Sequence, residues 1–361
     1  MDTIIIGLLL PTSTIFPIGK DFEKGLKAGL KEAGSADIEV EIIKEFVGQG
    51  DAKTTENACN KLFNFDDVDL VTGIVSNQTA KNLGERFKSR QTPFLISNVG
   101  GHMPNVAMFN EYMFINSMHL WRHAYTLGYA GVKKFGKKGM FIGSVYDAGY
   151  SFSHLFHKGM MAADPEAEWS FSVPPMPPAG SLSDMNVIFP FLEQYQPDFI
   201  LATFCGAETT LFLNEFIDKG WHPKTKVLGL PYLLAPFTPL NDDITIYTTR
   251  PLEDSPEVTA TTAFYHLGLQ AGKNIASAAK LSPNKAGLRD ALSSLKCMFN
   301  VDDADFVYAD NLTLMENTIK AADDNFTAKA IEEWPAFSLD IGQIKTLDLE
   351  VGGWYNPYLC I

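Results

Sequence analysis

The chain has 361 residues, 46% of them apolar and 20% charged, with a net charge of −14. That length exceeds what one hydrophobic core usually supports and implies two domains, while the composition argues against a disordered or fibrous protein. The acidic balance, with no basic cluster, argues against nucleic acid or an acidic membrane surface as partner and suits a soluble monomer.

Taken in order, Ile4 to Leu10 is an apolar run too short to span a membrane, with neither a basic leader nor a small-residue cleavage site. It is the predicted first strand. A loop follows through Phe16 and Pro17, then a helix from Gly19 to Ala33 with Phe22, Leu26 and Leu30 on one face. Ile38, Val40 and Ile42 alternate with acids, which predicts a strand over 38–47, and a helix is predicted over 52–65.

The next stretch organises the first half. Val68 to Val75 reads as a buried parallel strand, broken by Ser76, Asn77 and Gln78. Thr79 to Arg90 reads as a helix and Phe94 to Ser97 as another strand, ending in Asn98, Gly100, Gly101 and His102. Both loops lie at carboxyl ends of strands, where open parallel sheets bind ligands, and the first lies at a helix N-terminus, where free N–H groups hold anions or carbonyl oxygens. The plain alternative is that Ser76 or Asn77 caps the helix, Asn98 caps a turn, and the two glycines turn the chain.

Phe114 to Ser117 reads as a short bridge, after which the pattern restarts. A helix over 119–135, a strand over 140–145, a loop at 146–150, a helix over 151–163 and a strand over 169–173 are expected. Pro174 to Gly180 is a surface loop, since its prolines suit neither helix nor central strand. Helix 184–195, strand 198–204, helix 208–219 and strand 225–229 follow, then Leu230-Pro231-Tyr232. A strand over 244–250 and helices over 256–280 and 285–295 come next. Phe306 to Tyr308 reads as a strand and 311–322 as a helix, while the aromatic tail Trp354 to Tyr358 has no clear period. The class is α/β, with parallel sheets flanked by helices.

Catalytic signatures are missing: there is no G-x-S-x-G, no G-x-x-x-x-G-K-(S/T), no H-E-x-x-H and no G-x-G-x-x-G after a strand. Asp147 with Tyr150, or His154 with His157, form imaginable pairs, but two histidines without a third ligand do not make a metal site. No enzyme activity, metal or cofactor is expected. Four cysteines, Cys59, Cys205, Cys297 and Cys360, allow three complete pairings or four buried thiols, and their spacing selects none. Asn77-Gln78-Thr79, Asn311-Leu312-Thr313 and Asn325-Phe326-Thr327 match the glycan sequon, a short pattern that arises by chance.

Two consecutive α/β units, meeting near 117 with a return near 250, resemble the type I periplasmic binding proteins, in particular the leucine/isoleucine/valine receptors of ABC importers. The pieces are Ile6 to Pro11 with Gly19, Val68 to Thr79, Thr92 to Ser97, Asp147-Ala148-Gly149-Tyr150, Pro197 to Ile200 and Val227 to Gly229. The resemblance implies a two-lobed fold with three hinge crossovers, one lobe over 1–117 with 251–305 and the other over 118–250 with 306–361. It implies capture of a small molecule between closing lobes and delivery to a membrane ABC permease, in the periplasm or another extracytoplasmic space, free or lipid-anchored. The export signal would then lie outside these residues. A ligand-sensing regulator or receptor ectodomain is the alternative role.

Carried over by position, Asn77 stands where the family has a carboxylate-binding Ser, flanked by Ser76 and Gln78, and Gly101 where it has a Thr. The acid that pairs with a ligand ammonium is absent from Leu230-Pro231-Tyr232, and a buried ammonium needs a compensating charge. Glu208 could substitute, or could be a first-turn helix acid. Asn77, Gln78 and Asn98 offer neutral hydrogen bonds, backbone N–H groups at 77–79 and 100–102 could hold a carboxylate, and His102 is the one titrating group of its loop. Tyr150, Phe16, Phe204, Tyr232 and Trp121 could form aromatic walls, with core packing the plain alternative for Phe16 and Phe204. The expected ligand is aromatic or weakly charged, an aromatic carboxylate in particular, with a branched-chain or modified amino acid as runner-up.

Overall fold

The computed structural model describes residues 3–33, 39–103, 109–178, 181–234, 242–250, 263–282, 285–295, 299–300, 311–321 and 326–338. Their contacts form two units, the first holding residues up to Met118 with those of 263–300, the second holding His119 to 250 with 311–338. The expected strand at 306–308, the first residues of the helix expected over 256–280, the aromatic tail and the crossings beyond residue 250 lie outside the described residues.

The first unit opens with β1 (Thr3–Leu10), α1 (Ile18–Glu32), β2 (Glu39–Phe46), α2 (Ala52–Asn64), β3 (Leu70–Ile74), α3 (Asn77–Arg90), β4 (Phe94–Asn98) and β5 (Met113–Ser117). Asp51 starts α2 by accepting the N–H groups of Lys53 and Thr54. Strands β3, β4 and β5 are buried at every position, which is why they read as continuous apolar runs rather than alternations. The segment expected as a bridge at 114–117 is thus a full strand. It pairs with β4 in parallel, Ile96 beside Ile115, and five residues are too few to show a period.

The second unit contains α4 (Leu120–Lys134), β6 (Lys138–Gly143), α5 (Val145–Ala148), α6 (Phe152–Ala163), β7 (Glu168–Ser172), α7 (Phe189–Tyr195), β8 (Phe199–Thr203), α8 (Ala207–Asp218), β9 (Lys226–Gly229) and β10 (Ile244–Thr249). The loop expected at 146–150 is mostly the short α5, started by the Ser144 hydroxyl, which accepts the Tyr146 N–H. The helix expected over 184–195 is a 3-10 turn at Met185–Val187 followed by α7, whose first turn holds Pro190.

The chain then returns to the first unit with α9 (Ala263–Leu281), α10 (Lys285–Ser294) and β11 (Phe299–Asn300), and to the second with β12 (Asn311–Ile319) and β13 (Phe326–Pro335). The helix expected over 311–322 is β12, antiparallel to β10. The register of β12 against β13 shifts between Leu314 and Met315, where Ile331 of β13 is the extra residue, and the neighbours Leu314 and Met315 are both buried. Two buried neighbours in succession hide the period of two, leaving the helix-forming Leu, Met and Glu to mislead. The sheet of the first unit runs β11-β5-β4-β3-β1-β2, and that of the second β13-β12-β10-β9-β8-β6-β7. The β11, β12 and β13 pairings are antiparallel and the others parallel.

Each unit presses two helices together through glycine. In the first, a Cβ at Gly25 of α1 would fall on the Tyr265 carbonyl of α9; in the second, one at Gly159 of α6 would fall on the Tyr125 carbonyl of α4. Only a hydrogen side chain allows backbones this close.

Candidate functional site

In the first unit, the loops after β3 and β4 meet through hydrogen bonds. Ser76 is the N-cap of α3: its Oγ accepts the Thr79 N–H at 3.2 Å. Asn98 is buried, and its Nδ2 donates to the Val75 carbonyl (3.3 Å) and to Asn77 Oδ1 (2.9 Å). Its Oδ1 accepts from the Gly100 N–H (3.0 Å) and from the Ser117 hydroxyl (2.9 Å). Both N–H bonds and both acceptor sites of the amide are therefore engaged inside the protein. Asn98 clasps the two loops together and has no capacity left for a ligand. Gly100 holds φ +73°, the left-handed region where glycine is free of strain, and this turns its N–H back onto Asn98.

The clasp revises the expected set of donors. The N–H groups of Thr79 and Gly100 are engaged internally, while those of Asn77, Gln78 and Gly101 have no acceptor among the described residues. Gln78 turns its side-chain amide along α3 to Asn82 at 3.1 Å, and His102 is half-buried in the same loop as Gly101. Phe16 is buried in the β1–α1 loop, where the Ser13 hydroxyl accepts the N–H groups of Ile15 and Phe16.

Two residues of this cluster escaped the sequence reading: Asn116 and Ser117, at the carboxyl end of β5. Asn116 Nδ2 donates to Ser97 Oγ (2.9 Å) and to the Leu267 carbonyl (3.0 Å). Their signal was present, since β4 ends Ile-Ser-Asn and β5 ends Ile-Asn-Ser, and the paired register sets each polar side chain beside its counterpart.

In the second unit, the loops after β6 and β8 are adjacent, with the Ser144 N–H donating to the Thr203 carbonyl. Tyr150 is buried, its ring edge-on to Phe152 at 5.3 Å. Phe204 is fully buried and stacks on Phe212 at 4.7 Å within the main apolar cluster, so it is a core residue. Trp121, in the first turn of α4, is also fully buried and packs edge-on to Phe337. Tyr232 belongs to the 3-10 turn Pro231–Leu234 after β9, and its side chain lies outside the described ones.

This cluster is acidic. Asp147 and Glu208 are both buried, and Glu208 Oε1 accepts the Ser183 N–H at 2.9 Å. Cys205 lies near both: burial first, then Asp147 and Glu208, push its thiol well above the ordinary value. Cys59, in the first unit, is raised to about 12, mainly by burial. Both are unpaired, inert thiols, while Cys297 and Cys360 lie outside the described residues. Of the imagined histidine pair, His157 stacks on Trp169 at 4.4 Å. Among the described residues no cluster of three or more potential ligands could hold a metal ion, and no helix is long and apolar enough to cross a membrane.

Both units thus present polar loops at the carboxyl edge of a parallel sheet, suited to holding a small molecule by hydrogen bonds. Residues 3–271 match the family described as periplasmic binding protein. No curated protein sequence matches the chain. Among solved structures it is similar to an ABC transporter substrate-binding protein from Sphaerobacter thermophilus, at 19% identity over 93% of this chain and 98% of that one, with TM-score 0.72. It is similar also to a solute binding protein of an ABC transporter from R. palustris in complex with 4-hydroxybenzoate, at 17% identity over 93% and 98%, with TM-score 0.69. A third is the branched-chain amino acid transporter substrate binding protein LivJ from Streptococcus pneumoniae in complex with isoleucine, at 16% identity over 91% and 99%, with TM-score 0.64. Matched over most of its length, the chain belongs to the periplasmic binding protein family and has its type I fold.

Proposed function

We propose that this protein captures a small aromatic or weakly charged solute, an aromatic carboxylate in the first place, and delivers it to a membrane ABC permease outside the cytoplasm. The two units serve as the two lobes of the family, and the protein is a binder rather than a catalyst. The observation that carries the ligand class is the end of β9: the strand runs into buried Leu230 and the 3-10 turn Pro231–Leu234, with no carboxylate for a ligand ammonium. The first unit supports the same reading, because its open N–H groups at Asn77, Gln78 and Gly101 are neutral donors suited to a carboxylate. Relatives of the same fold are described with benzoate and with 4-hydroxybenzoate bound.

A second reading, a branched-chain or modified amino acid, is favoured by one observation: the buried carboxylates of Asp147 and Glu208 could face an ammonium. A thermal-shift screen separates the two. A ligand at a hundred times its Kd stabilises by about 2.7 kcal/mol. Benzoate and 4-hydroxybenzoate are expected to raise the melting temperature, while leucine and isoleucine leave it unchanged. A large shift with the amino acids alone reverses the assignment.

A further inference from the structure

The sheet of the second unit ends on an exposed aromatic surface. β7 is its edge strand, and Trp169 and Phe171, two residues apart, project from the same face. Trp169 stacks on His157 of α6 at 4.4 Å and on Phe171 at 6.0 Å, a ladder of three rings. Phe171 is 62% exposed. Burial and then Lys158 hold the His157 imidazole below its ordinary value, so the rings are uncharged at neutral pH. Edge strands are commonly blunted by charge, but the acid beside this ladder, Glu168, is paired with Lys138 at 3.6 Å.

Just beyond the strand comes Pro174-Pro175-Met176-Pro177-Pro178, in neither helix nor strand. Proline fixes φ near the polyproline II value, and that helix has three residues per turn. Burial follows this period: Pro174 is buried and Pro177 half-buried, while Pro175, Met176 and Pro178 are exposed. The segment thus rests one edge on its own chain and turns the others to solvent. It runs on from β7 and does not cover the ladder, since Phe171 stays in water. Polyproline segments dock on aromatic-lined grooves, and this chain exposes both halves of that pair between Trp169 and Pro178. The lengths agree: the ladder's two steps are 4.4 Å and 6.0 Å, and Pro175 to Pro178 spans roughly 9 Å of polyproline helix. Charge agrees as well. From Trp169 to Ser183 there is no Asp, Glu, Lys or Arg, in a chain of net charge −14. Two copies repel one another over most of such a surface, and an uncharged stretch is where they can touch.

We infer that this edge of the second unit is a self-association surface, on which two copies of the chain pair about a two-fold axis. Trp169 and Phe171 of each copy receive Pro175 and Pro178 of the other, so every contact is made twice. The stretch is shorter than the roughly 20–30 residues a side of a stable interface, which makes the dimer weak and reversible. None of the loops read as solute-binding takes part, so the pairing stands independently of the capture reading.

The test is sedimentation velocity on the full chain from micromolar to millimolar concentration. The mean mass is expected to rise toward that of a dimer, and added salt should favour the dimer, because it screens the repulsion between acidic chains while leaving apolar contact intact. Phe171→Ser, and Pro175→Ser combined with Pro178→Ser, should each raise the dimerisation Kd roughly tenfold or more, since each loss is counted twice in a two-fold pair. Mixing these two variants is the sharper measurement. The mixed dimer keeps one of its two contacts, an intact ladder against intact prolines, and should associate more tightly than either variant alone. Met176→Glu, at a side chain 57% exposed that the fold does not need, should also abolish pairing by placing a charge in the uncharged contact. A chain that stays monomeric at millimolar concentration overturns the inference, even if a free Pro-Pro-Met-Pro-Pro peptide binds it, which would assign the ladder to a foreign proline-rich partner. A dimer weakened by salt, one untouched by Met176→Glu, or variants that melt like wild type yet gain nothing on mixing overturn it too.

Discussion

The two units build their polar loops in opposite ways. In the first, the loops after β3 and β4 are closed by neutral groups: the amides of Asn77 and Asn98 and the hydroxyls of Ser76 and Ser117, all bonded to one another or to backbone. In the second, the loops after β6 and β8 contain two buried carboxylates and a thiol, with aromatic rings packed behind them. A neutral clasp fixes geometry while leaving backbone N–H groups open to an acceptor. A buried acid favours the approach of a donor and disfavours an anion. Taken separately, the first cluster suits a hydrogen-bond acceptor and the second a hydroxyl or ammonium.

The comparison can be broken by substitution. The largest effect is expected for Phe204→Ala, which empties a fully buried aromatic site stacked on Phe212 and should cost about 3–5 kcal/mol in chemical denaturation. A wild-type unfolding midpoint with weakened solute binding would instead make Phe204 a ligand wall. Next comes Asn98→Ala, which strands buried donors and acceptors on both loops of the clasp and should cost on the order of 3 kcal/mol. If Asn98→Ala melts like wild type but loses solute, the amide contacts ligand and the clasp is incidental. Ser76→Ala removes one helix cap and should cost about 1 kcal/mol by the same denaturation measurement.

A different kind of effect concerns pH, in the second unit. Burial, then the nearby Arg122 and His123, lower the His119 imidazole to about 3 from 6.5. The folded chain keeps this ring neutral while the unfolded chain protonates it, so the unfolded state binds more protons between those two values. Stability is complete above pH 6.5 and falls as pH drops toward 3. His119 holds φ +51°, which asparagine also tolerates. In His119→Asn the melting temperature lost between pH 7 and pH 5 should be smaller by a few degrees. An equal loss in both proteins removes His119 as the cause.

The amino-acid sequence by itself determined the class, the alternation of strands and helices, and the placement of polar loops at strand ends. Those features follow from local rules: apolar runs such as Leu70–Ile74 bury on both faces, and small polar residues end them. The family resemblance also rests on local motifs, and the match over residues 3–271 agrees with it. Tertiary structure decided what local rules do not reach. Residues 311–319 carry helix-forming side chains yet pair along β10, because backbone bonding across a sheet outweighs propensities of a few tenths of a kcal/mol per residue. Phe204 reads equally well as a ligand wall or as core until Phe212 is seen stacked upon it. Asn98 reads as an open amide until its nitrogen is found donating to Val75 and Asn77, and Ser117, nineteen residues away in the chain, donating to its oxygen. A side chain's free hydrogen-bonding capacity depends on partners distant in sequence, so it is decided only when the chain has folded.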